Sequence, residues 1–139
     1  MTEAGRGLIT PRAAIFTLLI FLEKNEGDYP NWQSSEGYRR NKSLFINTAD
    51  DFRKNYSNYL SRYTFEILRP VMEDIECFAI LPQLGDAFYE ELKNAIFLKA
   101  ASPIETQLIK LIQRAVANYT IEEGIKRQWV RIEGRNVIQ

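Results

Sequence analysis

Histidine is absent from this chain of 139 residues, and cysteine occurs once, at Cys77. Without histidine there can be no Ser-His-Asp triad, no Cys-His pair and no HExxH zinc site. A single cysteine excludes an internal disulfide and the usual structural zinc sites. None of the seven glycines belongs to a Gly-rich phosphate loop. We therefore predict a protein that is not an enzyme and has no catalytic residues, no cofactor and no metal.

The charge balance also excludes a class of proteins. Eighteen basic and eighteen acidic residues give a formal net charge of zero, and 45% of the residues are hydrophobic. A general nucleic-acid binder needs an excess of Lys and Arg to contact phosphates, so this function is not expected. The length suits one ordinary globular domain. Because Cys77 lies in an apolar context, we expect it to be a small buried hydrophobic residue.

The N-terminal region, residues 1–43, is predicted to be a docking extension. Residues 1–7 are polar and contain glycine, which is typical of a flexible arm. Thr10 is a suitable N-cap and Pro11 a suitable first helical residue, so a helix is expected to begin here.

The run Ala13–Leu22 within this helix is apolar almost all round. It has ten residues, about half the length of a membrane span, so we expect no membrane insertion. A secretory signal peptide is an alternative, but the run has no small-residue cleavage pattern after it. A helix that is apolar on every face must be covered on every face, which favours a neighbouring subunit. Phe16 and Ile20 are the contact candidates on this helix.

Residues 25–42 are rich in turn formers and are predicted to be an irregular aromatic loop. Tyr29, Trp32 and Tyr38 punctuate this stretch. Amphipathic aromatic side chains of this kind either pack on the core or contact a partner, and both interpretations stay open.

Residues 44–139 show mainly helical periodicity. Leu44–Ile46 is predicted to be extended, and a short helix capped by Thr48 follows. Apolar residues from Phe65 to Phe78 form the face of a longer helix, with Pro70 as its start or as a kink. Two further helices open at Asp86 and at Ser102-Pro103. The predicted buried set is Ala87, Phe88, Leu92, Ala95, Ile96 and Phe97 in the first, and Ile104, Leu108, Leu111, Ile112, Ala115, Val116, Tyr119 and Ile121 in the second.

The hydrophobic periodicity changes near the end of the sequence. Apolar and polar residues alternate from Trp129 to Ile138, which predicts a β-hairpin or a single strand. Because this strand lies at the end of the sequence, we expect it to be open to pairing with another chain. The predicted fold class is therefore mainly α: a bundle of four to five helices with a short C-terminal β-hairpin or strand, in which residues 44–139 form the helical domain.

Charge is distributed unevenly along the chain. The segment Pro70–Leu92 has six acidic residues and no basic one, and we expect these acids to be solvated on helix surfaces. From Gln107 to Gln139 there are six basic and three acidic residues. Opposite charges of this kind can stack subunits head to tail, which builds rings or filaments. Trp129, Arg131 and Arg135 are the contact candidates at the basic end.

Several motifs between Leu44 and Ile138 resemble a set of phage and prophage proteins from Bacteroidetes hosts that look like head–tail connector, or adaptor, proteins. The stretch Leu44–Phe52 resembles their opening, and Ile80–Gly85 resembles their I-x-P-x-L-G turn. The helix start Asp86–Leu92 and the segment Val130–Val137 are also similar. Residues 1–43 have no counterpart in this resemblance.

The resemblance implies a virion structural protein, located in the neck at the head–tail junction and assembled in the host cytoplasm. It implies a homo-oligomeric ring, of twelve copies if it follows a typical portal, between the portal protein and the tail or neck proteins. Nucleic acid would at most pass through the channel of such a ring. The alternative is a non-viral bacterial helical interaction or regulatory domain without catalysis.

Overall fold

The computed structural model describes residues 10–56 and 58–139. The predicted arm, residues 1–7, lies outside the described residues. The chain divides into two compact units, residues 1–38 and 39–139. Most described residues are helical, and a small β-sheet includes the end of the sequence, which confirms the predicted fold class.

The first unit begins with helix α1 (Pro11–Lys24), whose cap was predicted correctly. The hydroxyl of Thr10 accepts a hydrogen bond from the backbone N–H of Ala13 at 3.1 Å. The prediction of an irregular stretch after α1 is wrong, because residues 25–42 form short helical turns. These turns are a 3-10 turn (Glu26–Asp28), helix α2 (Pro30–Gln33) and helix α3 (Glu36–Asn41).

The second unit contains most of the regular structure. Its elements are α4 (Ala49–Asn55), β1 (Tyr59–Leu60), α5 (Arg62–Ile75), a π-helical segment (Glu76–Ile80), α6 (Leu81–Leu84), α7 (Asp86–Phe97), α8 (Pro103–Lys126), β2 (Arg131–Glu133) and β3 (Asn136–Ile138).

Side-chain caps and one glycine explain several of these boundaries. Thr48 caps α4, and Ser102 forms a reciprocal capping box with Glu105 at the start of α8, as predicted from local sequence. Helix α5 begins after Ser61, so Pro70 lies inside it and is not its start. The chain turns at Gly85, whose φ of 82° and ψ of 156° are accessible only to glycine.

Helices α5 and α8 pack side by side and form the centre of the core with α4. Phe52, Phe65 and Leu68 are fully buried here. Gly124 allows the close approach, because a Cβ at this position would lie 2.9 Å from Cδ2 of Leu68 and 3.0 Å from Cγ2 of Val130. The segment Leu44–Phe45–Ile46 is buried in the same core, but it is irregular and not extended as predicted.

The predicted inner faces of α7 and α8 are confirmed only in part. In α7 only Leu92 is buried. In α8, Ile104, Leu111 and Tyr119 were predicted to be buried but are 76%, 63% and 46% exposed. The buried face of α8 includes the predicted Ile112, Val116 and Ile121, and it extends to residues that were not predicted: Ile109, Ala117, Thr120 and Gly124. Because α8 is apolar on two sides, its sequence does not indicate which side faces the core.

The three strands form one sheet in the order β1-β3-β2. The predicted C-terminal hairpin is confirmed, since β2 and β3 pair antiparallel with Ile132 opposite Val137. Strand β1 pairs with β3 in parallel, with Leu60 opposite Val137. The last strand therefore has a partner on both sides within the chain. The expectation that it is open to another chain is wrong, and the edges of the sheet are β1 and β2.

Candidate functional site

The N-terminal helix α1 presents apolar side chains to solvent. Ile15, Leu18 and Phe21 are each slightly more than half exposed, and no residue of α1 is buried. The predicted contact residues Phe16 and Ile20 are half-buried and lie on the other side of the helix. The exposed apolar row of α1 was missed because a run that is apolar all round does not show which side is covered.

The three predicted aromatic contacts of the first unit have different surroundings. Tyr29 is 40% exposed, and its ring lies 6.3 Å from that of Phe21. Trp32 is half-buried and meets Tyr38 edge-on, with 4.9 Å between ring centroids. Tyr38 is buried, and its hydroxyl donates to Oε2 of Glu26 at 2.5 Å. Burial, together with this carboxylate, raises the pKa of Tyr38 to about 12. Tyr38 is therefore an internal packing residue, which corrects its place among the contact candidates.

A second surface surrounds Trp129 at the end of α8. Ile125, Trp129 and Arg131 line a shallow cavity of about 280 Å³, together with Gln139. Trp129 is 41% exposed. Exposed Trp and Arg side chains are the types that carry most binding energy at protein interfaces. We call these residues the Trp129 surface, and Arg135, in the turn between β2 and β3, does not line it.

Part of the basic end is paired within the chain. Arg127 donates to Oδ2 of Asp74 at 3.0 Å, and Arg131 donates to Oε2 of Glu133 at the same distance. The charges of Arg127 and Asp74 therefore offset each other inside one subunit. This weakens the expected attraction between the acidic middle and the basic end of neighbouring copies.

A third surface follows the solvent side of α8. It is a row of apolar residues spaced by three or four positions, opposite the buried face. Its exposed members include Ile104 and Leu111. We call this row the α8 stripe: Ile104, Leu111, Ala115 and Tyr119 are its exposed members, and Leu108 is a partly buried member that also packs against the core.

A buried ion pair lies under α7, where the sequence indicated only solvated acids. The side chain of Glu76 is 2% exposed. Its Oε2 accepts the N–H of Phe45 at 2.6 Å, and its Oε1 accepts the hydroxyl of Tyr89 at 2.8 Å. Lys93 also donates to Oε1 of Glu76 and to the carbonyl of Ser43. The cluster therefore fastens the loop before α4 to α7.

The electrostatics of this cluster follow from its burial. Burial lowers the pKa of Lys93, and the nearby Glu76 carboxylate opposes that effect only in part. Burial and the same carboxylate raise the pKa of Tyr89 far above its ordinary value. Both oxygens of Glu76 accept hydrogen bonds, so the carboxylate is fixed in position beside Lys93. We therefore interpret the cluster as a structural support of the fold.

The π-helical segment explains why the sequence analysis missed Glu76. A π turn takes more residues than an α turn, so side chains beyond Ile75 rotate away from their expected positions. Glu76 consequently points inward, while Phe78 is 79% exposed. Cys77 is exposed as well, which corrects the expectation that it is buried.

A shallow cavity of about 290 Å³ opens beside this cluster. Arg39, Lys42 and Glu90 line it, and the guanidinium of Arg39 lies 4.5 Å from the ring centroid of Phe97. Across residues 10–56 and 58–139, no three Cys, Asp or Glu side chains are placed to hold a metal ion. Every helix in this described part of the chain is too short or too polar to cross a membrane.

The chain matches a protein family over residues 12–42 and 80–137, which is more than half of its length. The family is described as a family of unknown function (DUF6712), and the chain belongs to it. No curated protein matches the chain significantly. No solved structure does so either.

Proposed function

We propose that this protein is a structural subunit of a phage particle: a head–tail connector that forms a ring between portal and tail through protein–protein contacts. The observation that carries the proposal is helix α8. It buries one apolar face in its own core and leaves a second one, the α8 stripe, exposed. Large exposed apolar patches are typical of protein interfaces.

The resemblance of residues 44–138 to phage connector proteins supports this particular assembly. In this proposal the ring sits in the virion neck and forms in the host cytoplasm. It has twelve copies if it adopts the symmetry of a typical portal, and DNA passes through its channel. The portal protein and a tail protein are its other partners, and shape and surface complementarity hold the assembly together.

The three exposed surfaces have the composition that such contacts require. The exposed row of α1 and the α8 stripe are apolar, and the Trp129 surface combines a tryptophan with an arginine. A subunit in a ring within the neck needs contacts with two neighbouring copies and with proteins above and below. Separate surfaces on one small chain meet that need.

Binding to the portal protein encoded in the same genome tests the proposal. We expect the purified chain to bind the purified portal, and the substitution Trp129→Ala to weaken this binding about tenfold or more if the Trp129 surface faces the portal. Phe78→Ala, which also truncates an exposed aromatic residue but lies outside the surfaces named here, is the matched control. A wild-type chain with no portal affinity would overturn the connector proposal and favour a cellular interaction domain.

A further inference from the structure

We propose that the α8 stripe of one subunit docks on the exposed face of α7 in a second copy of this chain. The inference rests on the proposed function and deepens it, because it assigns the contact between neighbouring subunits of the ring. The two helix faces carry opposite charges, and this complementarity favours a second copy of the chain as the binding partner.

The exposed face of α7 is acidic. Asp86, Glu90 and Glu91 are exposed, and none of them forms an ion pair with another described residue. The only basic residue of α7, Lys93, is ion-paired with the buried Glu76 and is also attracted by Glu90, so the three acids still outnumber the basic residues of this helix. The same helix also presents Phe88, which is 37% exposed. The face therefore combines negative charge with apolar area.

One side of the α8 stripe is basic. Lys110 and Arg114 are four residues apart, so they lie on the same side of the helix, next to Leu111. Both are exposed, and neither forms an ion pair among residues 10–56 and 58–139. The acid nearest in sequence, Glu105, is already engaged in the capping box with Ser102. Arg114 thus borders the apolar row, and Lys110 lies one turn before it, where it also lines a shallow cavity with Ala95 and Ile96 of α7 in the same chain.

These two faces are complementary in both charge and polarity. The apolar row can cover Phe88 of the neighbour, while Lys110 and Arg114 meet the acids of α7. An antiparallel pairing of α8 with α8 would instead bring each basic side against its own copy, which like-charge repulsion disfavours. In a dimer joined by this contact, one α8 stripe and one exposed α7 face remain unoccupied. Further copies can therefore bind there, and the assembly closes into a ring or extends into a filament.

Charge exchange in the full chain tests this contact. One variant carries Lys110→Glu and Arg114→Glu, and a second carries Glu90→Lys and Glu91→Lys. Self-association is measured by light scattering up to millimolar concentration. We expect each variant alone to associate about tenfold more weakly than the wild type, or worse. An equimolar mixture of the two, and a single chain with all four substitutions, should recover association because unlike charges meet again.

A control variant separates this contact from a general effect of charge. Arg40→Glu with Lys54→Glu makes the same change of net charge as the Lys110 and Arg114 variant, at exposed positions outside α7 and α8. It should associate like the wild type. All substituted side chains are exposed, so each variant should keep the unfolding midpoint within the range of ordinary surface substitutions.

The results that would overturn this interface differ from those that would overturn the proposed function. A wild type that stays monomeric, or exchange variants that associate as well as the wild type, would overturn this interface. Loss of association in the Lys110 and Arg114 variant without recovery in the mixture and in the fourfold variant would point to α8–α8 pairing and overturn it too. If the interface fails while the wild type still binds the portal protein, the proposed function stands without this contact.

Discussion

Lys93 on α7 donates a hydrogen bond to the buried carboxylate of Glu76, which lies 17 positions earlier in the π-helical segment. The second carboxylate oxygen accepts the N–H of Phe45, in the loop before α4. The ammonium group also lies 4.4 Å from the ring centroid of Phe45. One ion pair thus connects three separate stretches of the second unit. It holds α7 in place, and α7 carries the acidic face proposed to meet a neighbouring subunit.

Breaking this ion pair on one side should strongly destabilise the fold. Lys93→Met leaves a buried carboxylate without its positive partner, and we expect it to lower the free energy of unfolding by about 3–5 kcal/mol. Urea denaturation followed by circular dichroism measures the loss. The double variant Lys93→Met with Glu76→Gln should lose less than the sum of the two single variants.

Glu73→Gln is the matched control for that experiment, because Glu73 is exposed and lies only three residues before Glu76. It should change the free energy of unfolding by less than about 0.5 kcal/mol. Equal effects of the Glu73 and Lys93 substitutions would contradict the structural role of the ion pair.

Local signals in the sequence predicted the boundaries of helices well. Thr10, Thr48 and Ser102 each cap a helix as expected, because a cap depends on residues within one turn. The alternating pattern near the end likewise predicted the β2–β3 hairpin. Strand β1 was not predicted, because it has only two residues and its partner β3 lies far away in the sequence.

The buried face of α5 was also predicted correctly, with Phe65, Leu68, Val71, Met72 and Ile75 all buried, but the facing of two other helices was not. Helices α1 and α8 are apolar on more than one side, so periodicity left their buried sides undecided. The π-helical segment then changed the phase beyond Ile75 and brought Glu76 inward. The ion pair between Glu76 and Lys93 depends on tertiary contacts, and no short motif marks it. The α8 stripe emerged only when the structure showed which face the core uses.

A second charged cluster on α5 should make stability depend on pH. Glu66 accepts hydrogen bonds from Arg62 at 2.6 Å and from Arg69 at 2.9 Å. Burial alone would raise the pKa of Glu66, but the two guanidinium groups outweigh burial and hold its pKa below the ordinary value of 4.5. The ionised carboxylate therefore stabilises the fold above pH 4.5, and this contribution is lost as the pH falls through the lowered pKa.

The substitution Glu66→Gln isolates that contribution. We expect the variant to be less stable than the wild type at pH 7 and to lose less stability when the solution is acidified. Urea denaturation of both proteins at pH 7 and at about pH 3 gives the comparison. A variant whose stability falls as steeply as that of the wild type would show that other carboxylates cause the acid sensitivity.

Packing at Gly124 gives a prediction about the core. Gly124→Ala places a methyl group 2.9 Å from Leu68 and 3.0 Å from Val130, which forces these two side chains to move. Although alanine favours helices, we expect a net loss of about 1–3 kcal/mol from overpacking. Thermal unfolding measures the effect. Gly27→Ala is the control, since its Cβ would meet nothing within 4 Å. A stabilised Gly124 variant would mean that α5 and α8 are packed less tightly here than described.

The mass of the protein in solution, alone and mixed with the portal protein of the same genome, tests the central claim most directly. Light scattering should show a ring or a complex with the portal, at a multiple of the protomer mass. Substituting Leu111 in the α8 stripe by Glu should reduce that mass. A clean monomer under both conditions would contradict the account of this chain as a ring-forming connector.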